Sequence, residues 1–408
     1  MSEQQKSLKQ IIDFRLEKLE KLKKAGINPY PSKFEPSHQN RIILSNYESY
    51  ENKKVRVAGR IMVIRKMGKA SFLQLKDSSG RIQIFLRQDD VGNASYSNFK
   101  LLDIGDYIGI EGTVFKTKTG EISIKTNIMT ILSKSIRPLP IVKEKDGKLF
   151  DQFSDKEQRY RKRHLDLILN PEVKETFIKR NFIIKTIREL LDNKGFLEVE
   201  TPILQPVYGG ANAKPFTTHH NALDQTLFLR IADELYLKRL IIGGFDRVYE
   251  IAKDFRNEGM DRNHNPEFTM LECYWAYADY NDCMELVENL IKKSAERVDS
   301  KTVDWGDSKI DLSKSFVKKS FFELLKEATG CDINKIIDNK EELKKICNEN
   351  EVEIETDYSS GKILDELMSQ LVEPNLIQPT FVVDYPKIIS PLAKSHRNGN
   401  PNIVERFE

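Results

Sequence analysis

The chain lacks several patterns by which nucleotide-binding and metal-binding proteins are usually detected. Neither G-x-x-x-x-G-K-[ST] nor G-x-G-x-x-G occurs in its 408 residues, which excludes both glycine-rich phosphate-binding fingerprints. Its four cysteines form no C-x-x-C pair and have no histidine at metal-ligand spacing. We therefore expect neither a structural zinc site nor a disulfide framework, and the reducing cytoplasm is the expected location.

Long apolar runs and a strong net charge are also missing. No run of about 18 apolar residues occurs, so no membrane-spanning helix is expected. The polar start, MSEQQKSLKQ, does not resemble a secretory signal. A net charge of +3 is too small to identify a nucleic-acid partner by itself. The length predicts two or three domains.

One stretch, residues 255–272 (FRNEGMDRNHNPEFTMLE), concentrates charged and amide side chains around a single aromatic residue, Phe268. An arginine flanked by carboxylates can hold a nucleoside triphosphate without a glycine-rich cradle. Charged runs are more often solvated surfaces. Here, however, the alternation through Phe268 and Met270 predicts a strand with two different faces, so we interpret the stretch as a polyanion-binding site.

The N-terminal segment, residues 8–25, predicts an amphipathic basic helix that ends at Gly26. Its apolar residues recur every three or four positions: Leu8, Ile12, Leu16, Leu19 and Leu22. The basic residues Lys9, Arg15, Lys18, Lys21 and Lys24 are expected mostly elsewhere on its surface. Such a helix either contacts a phosphate backbone or packs against the domain that follows it.

Residues 51–135 contain five short alternating stretches without a long helix, which predicts a small barrel. The predicted inward residues are Leu73, Leu75, Ile82, Ile84 and Leu86, whereas Phe72 and Phe85 face outward beside polar side chains. Two aromatic residues on adjacent strands suit the stacking of unpaired bases. Isolated surface aromatics are nevertheless common, and the alternation alone leaves both interpretations open.

A charged, proline-containing linker is predicted over residues 136–170, and a helix begins with Pro171 at its first position. The segment 171–408 then alternates helices with strands, which predicts an α+β domain on a largely antiparallel sheet. A strand is expected over FLEVETPIL, residues 196–204, broken by Pro202. Residues 300–375 are expected to form a helical insertion.

These motifs resemble those of the bacterial-type class II lysyl-tRNA synthetases, subclass IIb, over nearly the whole chain. FLEVETPIL resembles the first motif of that family, FRNEG…HNPEFTMLE the second, and GKASFLQLKD with RIQIF its anticodon-binding OB-fold. The resemblance implies an α+β fold in which a five-stranded OB-fold barrel precedes a class II catalytic domain on an antiparallel sheet flanked by helices. It implies ATP and Mg²⁺ as cofactors, L-lysine and tRNA(Lys) as partners, and a homodimer, with neither DNA nor a membrane as partner.

The resemblance also implies roles for individual residues. Arg256 is the expected catalytic residue, which bridges the α-phosphate of ATP and the lysine carboxylate. Further roles are implied for the adenine (Glu258, Phe268), the triphosphate loop (His264, Asn265), the amino groups of lysine (Glu234, Glu272, Tyr274), the loop over the substrate (Gly210), the anticodon (Phe72, Gln83, Glu121) and the dimer interface (Pro202).

One part of the family pattern is not found. The chain ends at NIVERFE, before the family's third motif, so the Mg²⁺ ligands are expected beyond Glu408 and no metal ligand is expected within the chain. Two alternatives to lysine–tRNA ligase activity therefore stay open. One is an aspartyl- or asparaginyl-type synthetase, which needs a cationic group to recognise the substrate side chain. The other is a catalytically impaired tRNA-binding protein.

Overall fold

The computed structural model describes residues 7–140, 143–145, 148–150 and 153–408. The chain divides after Pro171 into two compact units. The predicted linker over residues 136–170 lies partly outside the described residues, as do the first six residues of the chain. In the described ranges, no helix is both long and apolar enough to cross a membrane.

The first unit is built around a closed five-stranded barrel with the strand order β1-β2-β3-β5-β4. Strands β3 and β5 are parallel, and the other neighbours are antiparallel. The barrel confirms the five predicted strands: β1 (Lys54–Met67), β2 (Ala70–Lys76), β3 (Arg81–Arg87), β4 (Tyr107–Lys116) and β5 (Ile122–Ser133). Strict alternation puts Leu73, Leu75, Ile82 and Ile84 in the barrel core, because successive side chains of a strand point to opposite faces.

Short helices and one small hairpin complete the first unit. The helices are α1 (Leu8–Lys24), α2 (Asn40–Ser45), α3 (Tyr47–Tyr50), α4 (Gln88–Val91), α5 (Asn93–Phe99), α6 (Lys156–Arg161) and α7 (Arg163–Leu169), and the hairpin strands are β6 (Lys143–Lys145) and β7 (Lys148–Phe150). Thus α6 and α7 occupy the second half of the segment that the sequence predicted as a linker.

The amphipathic helix α1 is confirmed, but the prediction of its faces was partly wrong. Leu19 and Leu22 are buried as expected, whereas Leu8 and Leu16 are exposed. Arg15, which was expected on the surface, is buried because its guanidinium donates to the carbonyl oxygens of Ser135 and Ile104. Helical spacing identifies the positions of apolar residues, but it cannot identify a carbonyl acceptor supplied by a distant loop.

The second unit combines small sheets with helices, which confirms the α+β class. Its helices are α8 (Pro171–Asn193), α9 (Glu234–Ile242), α10 (Tyr280–Arg297), α11 (Phe321–Thr329), α12 (Lys340–Glu349) and α13 (Ser360–Leu367). Its strands are β8 (Leu197–Glu198), β9 (Leu204–Gln205), β10 (Thr217–His220), β11 (Gln225–Leu229), β12 (Arg247–Phe255), β13 (Glu267–Trp275), β14 (Thr302–Trp305), β15 (Ser308–Asp311), β16 (Val317–Ser320) and β17 (Thr380–Val383).

The antiparallel hairpin of β12 and β13 is the longest strand pair of this unit, with nine residue pairs in register. The two-residue strand β8 pairs in parallel with β12. Tyr249 of β12 is fully buried and packs with Leu191, Phe196, Leu286 and Leu290. The hairpin is therefore held by a core to which α8 and α10 contribute.

The strand expected over residues 196–204, broken by Pro202, is found as the two short pieces β8 and β9, with Pro202 in the unpaired stretch between them. One prediction for this unit was wrong in part. The helical insertion begins later than expected, since residues 302–320 form β14, β15 and β16 before the first helix, α11.

Candidate active site

The segment of residues 230–234 (RIADE) leads from β11 into the first residue of α9 and includes Glu234 of the predicted site. Its first four residues are buried, including the charged Arg230 and Asp233. The backbone N–H of Phe255 donates to the carbonyl oxygen of Arg230 at 2.9 Å, which fixes the segment beside the end of β12. We call residues 230–234 the junction segment.

Arg256 directly follows β12 and is half-buried. Its backbone N–H donates to the carbonyl oxygen of Pro266 at 2.9 Å, just before β13 begins. Its Nε approaches the carbonyl oxygen of Ile231 at 3.4 Å, and its guanidinium carbon lies 5.1 Å from the centroid of the Phe268 ring. The structure thus brings Arg256 and Phe268 together, with one aromatic face covered by the guanidinium.

Glu272 and Tyr274 point from β13 towards the junction segment. Oε1 of Glu272 accepts the backbone N–H of Asp233 at 3.4 Å, and Oε2 accepts the Tyr274 hydroxyl at 3.0 Å. Burial raises the pKa of Glu272, and burial followed by the adjacent Glu272 raises the pKa of Tyr274. The pair therefore presents a partly desolvated carboxylate that suits a cationic ligand.

Gly210 and Glu234 are in direct contact at the same place. Gly210 has a φ of +88°, and a Cβ atom on it would lie 2.9 Å from the Cβ of Glu234. A larger residue would therefore be strained and would press on the start of α9. The Glu234 carboxylate is paired with Lys238, one helical turn later, at 2.5 Å. An incoming ammonium group would have to share or replace that partner.

Three predicted residues stabilise the exposed loop between β12 and β13. Nδ1 of His264 lies 2.7 Å from Oδ2 of Asp261, and Asn265 donates to the carbonyl oxygen of Glu267 at 2.5 Å. Glu258 accepts the backbone N–H of Lys214 at 3.4 Å. All three side chains are exposed, so a ligand can reach them.

A group of buried charges behind Glu272 was missed at the sequence level. Arg230 contacts carboxylate oxygens of Asp233, Glu250 and Asp254 at 3.1, 2.8 and 3.3 Å. Burial is the largest cause that raises the pKa values of Asp233 and Asp254, and their mutual proximity raises that of Asp233 further. The available signal was the presence of Arg230 and Asp233 inside an otherwise apolar run between strand and helix.

The barrel of the first unit carries a separate aromatic surface. The ring centroids of Phe72 and Phe85 are 4.9 Å apart, and those of Phe85 and Phe115 are 6.0 Å apart. Phe115 was missed, although the inward positions of Ile108, Ile110 and Val114 place it outward by alternation. The three rings line a cavity of about 320 Å³ together with residues 117–119. We call them the aromatic triad.

The two polar residues predicted for this surface lie near the triad. Gln83 donates to Ser123 Oγ at 2.8 Å, and Ser123 is also the residue paired with Phe115 across β4 and β5. Glu121 precedes Ser123 by two residues and has an exposed side chain. An amide and a carboxylate therefore stand beside aromatic faces, a combination that can stack a base and read its edge.

Pro202, predicted at a dimer interface, is exposed. Its carbonyl oxygen accepts the side-chain N–H of Gln205 at 3.0 Å. Several neighbouring apolar residues are also exposed, namely Leu197, Ile203, Leu204 and Val207. Pro202 and these four exposed apolar residues thus lie within residues 197–207.

Both units match known families. Residues 155–408 match the tRNA synthetases class II (D, K and N), and residues 55–132 match the OB-fold nucleic acid binding domain. The chain is 50% identical over 402 residues to a lysine–tRNA ligase of Carboxydothermus hydrogenoformans, which covers 98% of this chain and 80% of that relative. Two lysine–tRNA ligases from strains of Porphyromonas gingivalis are 48% and 47% identical, each covering 97% of this chain and 70% of the relative.

These matches are consistent with the geometry of both units. The sheet of the second unit presents an arginine and carboxylates, and the barrel of the first unit presents adjacent aromatic rings. The chain belongs to the class II tRNA synthetase family, its relatives there are lysine–tRNA ligases, and its barrel is an OB-fold nucleic acid binding domain.

Proposed function

We propose that this chain activates L-lysine with ATP and transfers the lysyl group to the 3′ end of tRNA(Lys). The observation that carries the proposal is the contact of the junction segment with Arg256, Glu272 and Gly210. A phosphate-binding guanidinium and an ammonium-binding carboxylate therefore stand side by side. We place the reaction in the cytoplasm, where tRNA is charged and where four free cysteines stay reduced.

In the first step, an oxygen of the lysine carboxylate attacks the α-phosphorus of ATP. The new O–P bond forms as the bond to the β-phosphate breaks, giving lysyl-adenylate and pyrophosphate. Arg256 would bind the α-phosphate and the attacking carboxylate and stabilise the charge that shifts between them. In the second step, the terminal ribose hydroxyl of tRNA attacks the lysyl carbonyl carbon and AMP leaves.

The ATP base would stack on the face of Phe268 opposite Arg256, with Glu258 near the adenine. His264 and Asn265 belong to an exposed loop that can close around the triphosphate. Mg²⁺ would neutralise the phosphate oxygens. The buried carboxylates of Asp233 and Asp254 do not fit this ATP-bound ion, because both side chains are fully buried and a phosphate oxygen cannot reach them.

The lysine side chain would be selected by Glu272, Tyr274 and Glu234, beneath the loop that contains Gly210. A half-buried carboxylate selects a cation, because a neutral ligand would leave the charge unpaired. An aspartyl- or asparaginyl-type ligand would need a free cationic group. Arg230 is the nearest buried cation, but it already donates to Thr201, Glu250 and the carbonyl oxygen of Lys253.

The barrel would bind the anticodon. Phe72 and its aromatic neighbours offer faces for the uridine-rich lysine anticodon, and Gln83 and Glu121 offer hydrogen-bonding groups for base edges. We further propose a homodimer through the exposed apolar stretch around Pro202.

Amino-acid-dependent pyrophosphate exchange tests the activation step. We expect lysine, but neither aspartate nor asparagine, to support exchange of labelled pyrophosphate into ATP. Arg256→Ala should lower the lysine-dependent rate by at least about 100-fold, as loss of a preorganised charge donor does elsewhere. Arg239→Ala, an exposed arginine on α9, is the matched control and should keep the rate. Exchange driven by aspartate or asparagine would favour the other synthetase type. Retained tRNA binding without any exchange would favour the impaired tRNA-binding protein.

A further inference from the structure

Asp233, Asp254 and Glu272 bring three carboxylates together at one point of the second unit. Asp233 is the fourth residue of the junction segment, Asp254 is the penultimate residue of β12, and Glu272 lies on β13. One side-chain oxygen from each lies within 4.8 Å of the others. We call these three residues the acidic triad.

Two of the three carboxylates receive no hydrogen bond from any described residue outside their own pair, which is an observation separate from their clustering. Both oxygens of Asp233 and both oxygens of Asp254 are buried, and no described residue outside this pair donates a hydrogen bond to them. The side chains are fully inaccessible to solvent. A buried carboxylate in this state is costly unless a cation or a proton compensates it.

Arg230 compensates these two carboxylates only in part, through ion pairs without hydrogen bonds. Its Nη1 lies 3.1 Å from Asp233 and its Nε lies 3.3 Å from Asp254, but these contacts do not have hydrogen-bond geometry. Nε donates to the carbonyl oxygen of Lys253 at 2.9 Å, and Nη1 donates to Glu250 at 2.8 Å and to Thr201. Together with Glu250, the acidic triad brings four carboxylates near two guanidinium groups, those of Arg230 and Arg256.

We propose that the acidic triad binds a divalent metal ion of the oxygen-preferring class, such as Mg²⁺ or Mn²⁺. Three oxygens within 4.8 Å of one another leave a centre about 2.8 Å or less from each, so movements of well under 1 Å give metal–oxygen distances. Carboxylate oxygens are the donors that these cations prefer. Glu272 is only half-buried, so the ion can enter from its side.

The metal ion and a lysine ammonium group would compete for Glu272. If both bind there, each must weaken the other by the same factor, because binding linkage is reciprocal. The ion would therefore balance the charge of the site when no amino acid is bound. The metal proposal does not depend on the proposed activity, because it concerns the chain without ATP, lysine or tRNA.

Mn²⁺ alone is the probe. The chain is freed of metal with a chelator and titrated with Mn²⁺ without substrates, and free Mn²⁺ is followed by electron paramagnetic resonance. We expect one bound Mn²⁺ in the wild type and at least tenfold weaker binding in Asp233→Asn/Asp254→Asn. The amides keep the shape of the side chains but remove their charge. Asp224→Asn, an exposed aspartate of the same unit, is the matched control and should bind as the wild type does.

Thermal unfolding shows whether the double variant is folded. Without metal, the double variant should unfold at a temperature equal to or above that of the wild type, because two uncompensated charges are gone. With Mn²⁺, only the wild type and Asp224→Asn should gain thermal stability. If the double variant does not fold, the single variant Asp254→Asn replaces it in both measurements.

Two results would overturn the proposal. One is equal Mn²⁺ binding by the wild type and the double variant. The other is no Mn²⁺ binding by the wild type at millimolar concentration. If in that second case lysine stabilises the wild type but not the double variant, the occupant of the triad is an ammonium group. If neither Mn²⁺ nor lysine stabilises the wild type, Asp233 and Asp254 share a proton instead of a cation. Lysine-dependent pyrophosphate exchange can succeed in each of these cases, so the two proposals fail separately.

Discussion

A single side chain, Phe115, determines the extent of the aromatic surface on the barrel. It extends the pair formed by Phe72 and Phe85 into three adjacent rings and closes one side of the cavity that they line. Base stacking on one aromatic side chain stabilises a complex by about 1–3 kcal/mol. Three adjacent rings can therefore hold several unpaired bases without reading their sequence.

Phe115→Ala should weaken tRNA(Lys) binding by about 5- to 150-fold, which is the loss of one stacking contact. Lysine-dependent pyrophosphate exchange should stay at the wild-type rate, since the substitution lies in the barrel. Filter binding measures the first quantity. Tyr107→Ala is the matched control, because Tyr107 faces outward on the same strand but eight residues away, about 26 Å along it. Equal losses of tRNA(Lys) affinity in both variants would contradict a specific role for the aromatic triad.

Side chains on regular strands could be predicted individually, whereas buried arginines could not. The outward directions of Phe72, Phe85 and Gln83 follow from alternation within their own strands. The burial of Arg15 depends on the carbonyl oxygens of Ile104 and Ser135, 89 and 120 residues away. The burial of Arg230 depends on acceptor groups of residues that are far apart in the sequence, such as Thr201 and Asp254. Only the fold brings such acceptors together.

At the scale of elements, α1 packs on the barrel unit through polar contacts as well as apolar ones. Leu22 belongs to the barrel core, and Lys18 pairs with Asp103 at 2.6 Å. Asp103 also accepts from the fully buried Lys134 at 2.5 Å. Burial opposes ionisation of Asp103, but the hydrogen bonds from Lys134 and Lys18 outweigh it and lower its pKa.

Asp103→Asn should lower the free energy of unfolding by about 1.5–3 kcal/mol at neutral pH, since it removes charged hydrogen bonds. Because the pKa of Asp103 is lowered in the folded state, its contribution is complete above the unfolded value of 3.8. The contribution of Asp103 to stability is lost as the pH falls through its lowered pKa in the folded state. The stability difference between wild type and variant should therefore be constant above about pH 5 and shrink below pH 4.

Chemical unfolding at several pH values measures that difference. Asp89→Asn is the control, because Asp89 is exposed and its contact with Arg87 is 3.9 Å. A difference that stays constant down to pH 3 would contradict the role given to the Asp103 carboxylate.

The elements that could be predicted are those with strong periodicity. The barrel strands, α1, α9 and the β12–β13 hairpin all have a clear alternation or helical spacing. Strands β14, β15 and β16 are four residues each and contain no buried residue, so their sequences carry no buried alternation. Strands β8 and β9 are two residues each, too short for any periodic signal.

At the scale of the whole molecule, the proposed homodimer depends on the apolar stretch from Leu197 to Val207. Ile203→Glu should shift the chain from dimer to monomer at micromolar concentration, because a buried charge at an interface has no partner. Sedimentation equilibrium measures the mass. Ile388→Glu is the matched control, since Ile388 is similarly exposed elsewhere in the second unit. A dimer that persists in Ile203→Glu, or dissociates equally in both variants, would contradict this interface.

In the proposed function, one chain joins lysine activation to recognition of tRNA(Lys). Attachment of labelled lysine to tRNA(Lys) tests it most directly, because the assay requires both the second unit and the barrel. We expect ATP-dependent charging with lysine. Charging should be lost in Arg256→Ala, and in Phe115→Ala it should return to the wild-type rate when the tRNA concentration is raised. No charging with lysine at any tRNA concentration, or equal charging with aspartate or asparagine, would contradict the proposed function.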